Sequence, residues 1–427
     1  QHLPPVHTPS APVFPVAIVN SLLPTISRPT QLLQTTKRLM MSMRRTICLA
    51  FSALAVSEVL ADHEPRRYQV DLDVEPAHRW DMVAAAEKEV FRASLTAITS
   101  DPKMKTLAPA LKNVVGNKAE ARRIFPHDIF EEMEGIARVT DVDFEDIAFF
   151  NLFYDVFAAA ESPIHEKACS GIIVQTANGE ILQGKNMDFM FTSTLESMTI
   201  VVDFVRKNET KFTAVTFGPS PTFDTAVRYG AFSVTLNERD RGDMATNVFD
   251  LAVLGRASWF AAIRQTMESE EVDSFEKAID YFSKTPVSAA GYMIVAGVKA
   301  GEGAVLTRDR DSLVDMWRLD AIAGRWFLVE TNYDHFLMPP FGDNRRAPEF
   351  RALEEIGQDH IDAEGLFGVL SIDHVNHTAG ENEPMNSETI YTTIMQASKP
   401  STFKTVVRGG NNKDNIMQDS GPRLLLL

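Results

Sequence analysis

The chain has 427 residues, of which 44% are hydrophobic and 23% are charged. These fractions are ordinary for a globular protein and exclude a collagen-like, low-complexity or multi-span membrane chain. The formal net charge of −16 disfavours a nucleic-acid partner. Two cysteines, Cys48 and Cys169, are too few for a disulfide-rich scaffold or a cysteine-ligated zinc site.

The first 61 residues have the composition of segments that do not join a packed core. Residues 1–42 contain no Asp or Glu and seven of the 22 prolines, so we interpret them as disordered or not part of the mature protein. Residues 43–61 begin with Met43-Arg44-Arg45, continue into a short apolar run and end in small residues, which is typical of a secretory signal peptide. The alternative is an organellar transit peptide, because residues 1–57 lack acidic side chains.

The next segment, from residue 62 to about residue 160, is predicted to be mainly helical after a short strand at 68–74. Apolar residues recur at helical spacing over 79–99, which predicts an amphipathic helix. Residues 144–159 are apolar almost all round. This composition favours a buried helix over a surface that meets lipid.

From residue 169 onward the pattern changes to short β-rich runs. Residues 170–176 and 180–186 flank Asn178-Gly179, a dipeptide typical of hairpin turns. Further strands are predicted at 197–205, 211–217, 232–236, 291–296, 304–307, 314–319 and 326–331, with helices at 248–268, 274–285 and 348–357. This order of elements predicts an α+β fold in which helices cover stacked antiparallel sheets.

The hairpin determines what lies beside Cys169. A two-residue loop at Asn178-Gly179 would place Cys169 directly opposite Asp188. The same register points Lys185 to the other face, so a bulge or bend, for which Gly184 is suitable, is needed to bring it to Cys169. Two interpretations stay open: a reactive thiol beside a carboxylate, or an inert buried cysteine in a cross-strand polar contact.

Two further kinds of site were considered from short patterns. Asn208 and Asn376 each begin an Asn-x-Thr triplet, which predicts glycosylation and fits a secretory route. The ten histidines show no metal-ligand spacing, and no phosphate-binding loop occurs. We therefore assign neither a metal nor a cofactor.

Two segments around Cys169 resemble one known family. Residues 168–174 (ACSGIIV), followed by residues 184–189 (GKNMDF), resemble the acid ceramidase and N-acylethanolamine acid amidase family of cysteine N-terminal nucleophile hydrolases. Matches in the same order run along nearly all of the chain after residue 61: VDLD at 70–73, RW at 79–80, LNER at 236–239, TRDR at 307–310, ETNYDH at 330–335, NRR at 344–346 and IYTT at 390–393.

The resemblance implies a four-layer αββα N-terminal nucleophile hydrolase fold and a chain that cuts itself between Ala168 and Cys169. Cleavage would yield a helical α-subunit, residues 62–168, and a catalytic β-subunit, residues 169–427, which stay associated as a heterodimer.

The resemblance also assigns roles within the reaction. Cys169 would be the nucleophile and, through its own α-amino group, the general base, so no separate histidine is needed. Asp188 would orient that amine, and Asn332 would donate to the oxyanion. A Cys-His-Asp triad with His335 and Asp334 is the alternative; we interpret His335 as a loop histidine because its neighbours match the amidase family.

Four further positions follow from the same comparison. Arg345 matches a second catalytic-site arginine, although Arg346 beside it is a rival candidate. Lys185 stands where the family usually has arginine; it keeps the positive charge and loses the planar, multi-donor fork. Glu238 matches a substrate-binding position, with a structural salt bridge to Arg239 as the alternative.

The implied activity is that of a lysosomal or secreted acid amidase that hydrolyses fatty-acyl amides through a thioester. Residues 330–335 look more like the acylethanolamine enzyme, and residues 307–310 and 324–326 more like the ceramidase. We favour N-acylethanolamines with overlapping use of ceramides. The alternatives are a ceramidase proper, a lipid-binding protein without turnover, and an amidase of the bile-salt or penicillin type. Expected partners are the lipid amide, the chain's own α-subunit and a membrane surface.

Overall fold

A computed structural model describes residues 61–159, 169–340, 342–375, 377 and 380–409. Residues 1–42, nearly all of the predicted signal peptide, Ala168 and Asn376 lie outside the described residues, so what the sequence implies for them stays a prediction. Within the described ranges, no helix combines the length and the apolar character needed to cross a membrane.

The first described segment is mainly helical after one short strand, as expected. Its elements are β1 (Arg66–Asp71), α1 (Asp81–Ser100), α2 (Pro102–Leu111), α3 (Lys118–Ile124), α4 (His127–Thr140), α5 (Phe144–Asn151) and α6 (Phe153–Phe157). The helix predicted at 144–159 is therefore two helices, with a break at Leu152. The Asn151 side-chain oxygen accepts hydrogen bonds from Ser220 and Thr222 at 2.8 and 2.7 Å, which ties the helix end to the later segment.

The strands of the later segment, together with β1, form two sheets. These later strands are β2 (Cys169–Gln175), β3 (Ile181–Asp188), β4 (Thr199–Arg206), β5 (Glu209–Phe217), β6 (Thr225–Arg228), β7 (Phe232–Glu238), β8 (Gly291–Ala296), β9 (Gly303–Arg308), β10 (Leu313–Arg318), β11 (Phe327–Glu330), β12 (Thr389–Met395) and β13 (Lys404–Val407). One sheet has the order β1-β4-β5-β6-β7-β8-β9-β10 and the other β11-β2-β3-β12-β13. Neighbouring strands are antiparallel except β1 and β4, which are parallel.

Helices are interspersed among these strands. They are α7 (Thr192–Met198), α8 (Met244–Ala252), α9 (Trp259–Glu268), α10 (Phe275–Lys284), α11 (Arg346–Ile356) and α12 (Ala363–Leu370). The single helix predicted at 248–268 is two helices, because the chain between them passes through Gly255 with a φ of 64°. A helix cannot continue through that left-handed conformation.

The sheets stack face to face, and each has helices on its other face. On β8, Ile294 packs with Ile173 of the five-stranded sheet, whereas Met293 and Val295 join the apolar cluster that includes the helices α9 and α10. Successive residues of a strand point to opposite faces, so this alternation separates a sheet–sheet layer from a sheet–helix layer.

The outer face of the five-stranded sheet is covered by the remaining pair of helices. Leu353 of α11 and Leu366 and Leu370 of α12 cluster with Ile172 and Leu182 of the sheet. The chain therefore has the four-layer αββα architecture expected from the sequence.

The turn between β2 and β3 is longer than predicted. A two-residue type I′ loop requires a positive φ at both central residues. Gly179 has a φ of 86°, whereas Asn178 is not among the residues with positive φ. Thr176 and Glu180 instead close a three-residue loop, with the Thr176 N–H donating to the Glu180 carbonyl at 2.9 Å.

The longer turn shifts the register by one residue, so the predicted pairing is wrong. Cys169 pairs with Met187 rather than with Asp188. Paired residues share a face, as do residues two apart on one strand, so Lys185 lies on the same face as Cys169. The bulge expected at Gly184 is not needed, and the pairing runs through it unbroken.

Candidate active site

Cys169 is the first residue of β2 and lies buried at the end of the strand, with 7% of its surface exposed. Its Sγ is 4.0 Å from the backbone oxygen of Asp188 and 4.0 Å from Sδ of Met187. Burial raises the pKa of the Cys169 thiol, and the positive charge of Lys185 opposes that rise. The thiol therefore needs a proton acceptor or a nearby cation to react as a thiolate.

Asp188 ends β3 beside Cys169 and is also buried. Burial raises the pKa of its carboxyl, and the charge of Arg345 opposes the rise. Asp188 Oδ2 accepts a hydrogen bond from Asn386 Nδ2 at 3.2 Å and lies 3.6 Å from a terminal nitrogen of Arg345. Asp188 Oδ1 is buried and has no hydrogen-bond donor in the described part of the chain. This oxygen suits an additional cationic donor, such as an amine.

Arg345 connects the groups that the sequence analysis selected separately. Its guanidinium donates to the Cys169 carbonyl at 2.8 Å and to Asn332 Oδ1 at 2.7 Å. Burial opposes its charge, but the carboxylate of Asp343, which accepts from Arg345 Nε at 2.8 Å, raises the pKa of the guanidinium above its ordinary value. Arg346 instead donates to Glu330 and to a backbone carbonyl, so Arg345 is the arginine at Cys169.

Asn332 follows β11 and faces the end of β7. Its Nδ2 donates to the Glu238 carbonyl at 2.9 Å, while Arg345 holds its oxygen. The Asn332 amide is thus fixed from both ends, and its second N–H has no hydrogen-bond acceptor among the residues that the structure describes. That geometry can serve a developing oxyanion.

Arg239, Asp334 and His335, which lie near Asn332 and Glu238 in the sequence, make contacts with other residues. Arg239 donates to both carboxylate oxygens of Asp334 at 2.8 and 3.0 Å. The His335 ring stacks on Trp317 with centroids 4.3 Å apart. Asp334 is therefore occupied by arginine, which does not fit a Cys-His-Asp triad.

Lys185 is fully buried on the face that carries Cys169. Its Nζ donates to the Leu236 carbonyl at 2.7 Å and to Asn237 Oδ1 at 2.8 Å. Asp224 Oδ2 lies 3.6 Å from the same nitrogen. Asp224 and Asp343 were not among the predicted site residues. Asp343 lies two residues before Arg345, which could have pointed to it, whereas no local pattern around Asp224 points to the site.

An apolar cavity opens beside Cys169. Its walls include seven phenylalanines, Phe150, Phe153, Phe189, Phe191, Phe217, Phe223 and Phe260. The carboxylates of Asp188, Asp224 and Glu238 line the same cavity. Phe150 and Phe153 precede the predicted cleavage point, and the other five phenylalanines follow it. An acyl chain could lie among these rings with its polar end at Cys169.

The remaining predicted sites lie apart from this cavity. Asn208 is exposed in the turn between β4 and β5, with a φ of 62°, where a glycan would have room. Across the described ranges, no group of three or more histidine, cysteine, aspartate or glutamate side chains is arranged to hold a metal ion.

Comparisons with known proteins identify relatives along most of the chain. No protein-family model matches. The N-acylethanolamine-hydrolyzing acid amidase of Cavia porcellus is 33% identical over 346 residues, which cover 81% of this chain and 91% of that protein. The acid ceramidase of Homo sapiens is 30% identical over 410 residues, which cover 86% of this chain and 97% of that protein.

A solved structure is also similar. The Caenorhabditis elegans N-acylethanolamine-hydrolyzing acid amidase ortholog is 32% identical, with a TM-score of 0.47, and the match covers 55% of this chain and 95% of that chain. From the sequence identity and coverage of the two curated relatives, the chain belongs to the acid ceramidase and N-acylethanolamine acid amidase family of cysteine N-terminal nucleophile hydrolases, and it is an amidohydrolase.

Proposed function

We propose that this chain hydrolyses fatty-acyl amides to a free fatty acid and an amine, with Cys169 as the nucleophile after self-cleavage behind Ala168. One observation carries the proposal: a buried thiol at the start of a central strand opens into an apolar cavity. Beside it, Asp188 Oδ1 has no donor in the described ranges, and an α-amine on Cys169 would supply one.

The reaction runs in two steps. The α-amine takes the thiol proton, sulfur attacks the acyl carbon, and the leaving amine takes that proton as the C–N bond breaks. Water then loses a proton to the same α-amine, attacks the thioester and releases the fatty acid, and the thiol is restored. Asn332 donates to the oxyanion in both steps.

The charged groups around Cys169 divide the remaining tasks. Asp188 orients the α-amine, while Arg345 fixes the Cys169 carbonyl and Asn332. Lys185 supplies positive charge near the sulfur, and Glu238, at the cavity wall, contacts the polar end of the substrate. All of these side chains act without a metal or cofactor in this proposal.

N-acylethanolamines are the proposed substrates, with ceramides as overlapping ones. One relative's name refers to N-acylethanolamines and the other's to ceramide, so family membership supports both classes. A shorter or longer acyl chain would be selected by the phenylalanine walls of the cavity.

The precursor is proposed to enter the secretory route, to carry glycans at Asn208 and Asn376, and to act in lysosomes or after secretion. Residues 62–168 stay bound to residues 169–427 after cleavage. Buried contacts support this association: Glu132 accepts from Arg264 at 3.1 Å, and Asp155 accepts from Ser258 at 2.6 Å. Docking of the helical segment on a membrane surface stays a prediction.

Hydrolysis assays at acid and neutral pH test this function. Wild-type protein and Cys169→Ala would be given palmitoylethanolamide, a ceramide and a glycine-conjugated bile salt. We expect palmitoylethanolamide to be cleaved fastest by the wild type at acid pH, and activity to be lost in Cys169→Ala.

Each other outcome has a definite meaning. Faster ceramide cleavage would favour a ceramidase proper, and faster bile-salt cleavage a bile-salt-type amidase. Lipid binding without hydrolysis would indicate a lipid-binding protein without catalytic activity. Full activity in Cys169→Ala would contradict the assigned nucleophile.

A further inference from the structure

The ammonium group of Lys185 is buried, and its two hydrogen-bond acceptors do not balance its charge. Its side chain is fully buried, and an interior of low polarity favours the neutral form of a lysine. The two atoms that accept its hydrogen bonds, the Leu236 carbonyl and Asn237 Oδ1, carry no net charge. Within the described ranges, the carboxylate at ion-pair distance from Nζ is that of Asp224, at 3.6 Å.

Asp224 is built into the wall of the cavity rather than placed at the surface. It immediately precedes β6 and is 4% exposed. Its Oδ1 accepts hydrogen bonds from the hydroxyls of Tyr391 and Thr225 at 3.1 and 3.2 Å. Its Oδ2, the oxygen nearer to Lys185, has no hydrogen-bond donor among the residues that the structure describes. Two hydroxyl donors stabilise a carboxylate, and Oδ2 is left to face the ammonium.

We propose that Asp224 is the buried counter-ion that keeps Lys185 positively charged beside Cys169. A guanidinium keeps its proton in a protein interior, whereas a buried ammonium without a counter-ion loses it readily. The inference rests on the proposed function of Cys169 as the nucleophile. Asp224 is a positioning residue in this scheme, because it acts through Lys185.

Other ionisable groups lie near Lys185 and Asp224 and contribute to the electrostatic environment of Cys169. Cys169 lies on β2, Asp188 ends β3, Tyr391 lies on β12, and Glu238 ends β7. Of these, Asp188 raises the pKa of the Cys169 thiol, as Asp224 itself does, whereas Lys185 lowers it. Loss of the Lys185 charge would therefore raise the pKa of the thiol.

Because Asp224 and Lys185 shift the pKa of the Cys169 thiol in opposite directions, the direction of the change in Asp224→Asn distinguishes two roles for Asp224. If Asp224 only repelled the thiolate, Asp224→Asn would make the thiol more acidic. If Asp224 maintains the charge of Lys185, Asp224→Asn removes two charges of opposite sign. The loss of the cation prevails, because Lys185 influences the Cys169 thiol more strongly than Asp224 does. The thiol then becomes less acidic, as in Lys185→Met.

The experiment follows alkylation of Cys169 by iodoacetamide against pH in the full chain, read from the mass of the Cys169-bearing peptide. We expect the alkylation midpoint to rise by about one pH unit in Asp224→Asn and in Lys185→Met. In the double variant Asp224→Asn/Lys185→Arg the midpoint should return toward the wild-type value. At acid pH, kcat/KM for palmitoylethanolamide should fall about tenfold in Asp224→Asn and recover in that double variant.

An unchanged or lowered midpoint in Asp224→Asn would overturn the inference, as would failure of the arginine double variant to restore the midpoint while it melts like the wild type. Full amidase activity in Cys169→Ala would instead overturn the proposed function. The two failures are therefore distinguishable.

Discussion

Arg345 organises the site at the scale of single hydrogen bonds. The bond from Arg345 to the Cys169 carbonyl spans 176 positions of sequence, and a second bond holds Asn332. Asp343 and Asp188 lie on either side of the guanidinium with 2.8 and 3.6 Å between charged atoms. One planar side chain thus fixes the backbone of the proposed nucleophile and the proposed oxyanion donor together.

Replacement of Arg345 by lysine tests this arrangement. Lysine keeps the charge, but one ammonium cannot reach both the Cys169 carbonyl and Asn332 in the geometry of the guanidinium fork. Loss of one charged hydrogen bond, about 1.5–3 kcal/mol, predicts a fall in kcat of about tenfold to a hundredfold. Arg351→Lys, at an exposed arginine of α11, is the matched control and should keep wild-type kinetics. Wild-type kcat in Arg345→Lys would show that the fork is dispensable.

At this scale the sequence predicts residue identity better than residue contacts. Cys169, Asp188, Asn332 and Arg345 lie in short motifs that could be matched one by one. Asp224 could not be found in this way, because its partner Lys185 is 39 positions away and belongs to the other sheet.

The β2–β3 hairpin shows how one element controls the site. A one-residue change of register exchanges the faces of a strand, so the three-residue loop decides that Lys185 and Cys169 share a face. Asn178-Gly179 correctly predicted a hairpin, but the choice between two- and three-residue loops depends on the φ of Asn178, which the dipeptide alone does not determine.

Gly179→Ala tests the importance of that turn. Gly179 has a φ of 86°, and an added Cβ would lie 3.3 Å from the Ala300 side chain. We expect the free energy of unfolding to fall by about 1 kcal/mol, measured by urea denaturation. Gly368→Ala is the matched control: Gly368 lies within α12 with open space at its Cβ position, so this change should stabilise by about 0.5–1 kcal/mol. Equal effects of the two changes would contradict the strained turn.

The other elements show where periodicity is informative. The 79–99 helix and the strand at 291–296 were found nearly as they occur, because their patterns are long or clearly bounded. Short elements such as β6, with four residues, and α7, with seven, were missed. Their existence depends on contacts with neighbouring elements rather than on local sequence.

At the scale of the whole molecule, buried carboxyls couple the fold to pH. Burial raises the pKa of Asp155 to about 6, that of Glu330 to about 7 and that of Glu349 to about 8. In the unfolded chain a glutamate has a pKa near 4.5, so between about 4.5 and 8 the folded form of Glu349 holds a proton that the unfolded form has lost. Its contribution to stability is complete below that window and is lost as pH rises through it.

Glu349→Gln should therefore flatten the pH dependence of stability. The amide stays neutral at every pH, so the variant should match the wild type at acid pH. Above neutrality it should exceed the wild type by at least about 1 kcal/mol, since each unit of pKa difference corresponds to about 1.4 kcal/mol. Urea denaturation across this range is the measurement. Glu355→Gln, at an exposed position of the same helix, should leave the wild-type slope unchanged. A steeper dependence of the free energy of unfolding on pH in Glu349→Gln would contradict the predicted direction of the Glu349 contribution.

The fold class and layer order were predictable because the order of helices and strands, together with the family motifs, points to one architecture. The association of residues 62–159 with the later segment could not be read from either part alone. It depends on side-chain contacts between the two segments, such as the rings of Phe153 and Phe189, whose centroids lie 5.8 Å apart at the wall of the cavity.

The most direct test of the account is mass spectrometry of the purified precursor after incubation at acid pH. It measures the mass of the large fragment and then, after addition of substrate, the number of acyl groups that this fragment carries. The account predicts a fragment that begins with Cys169 and carries a single acyl group on that residue, with neither product in Cys169→Ala. Normal turnover by protein in which Cys169 is still joined to Ala168 would contradict it.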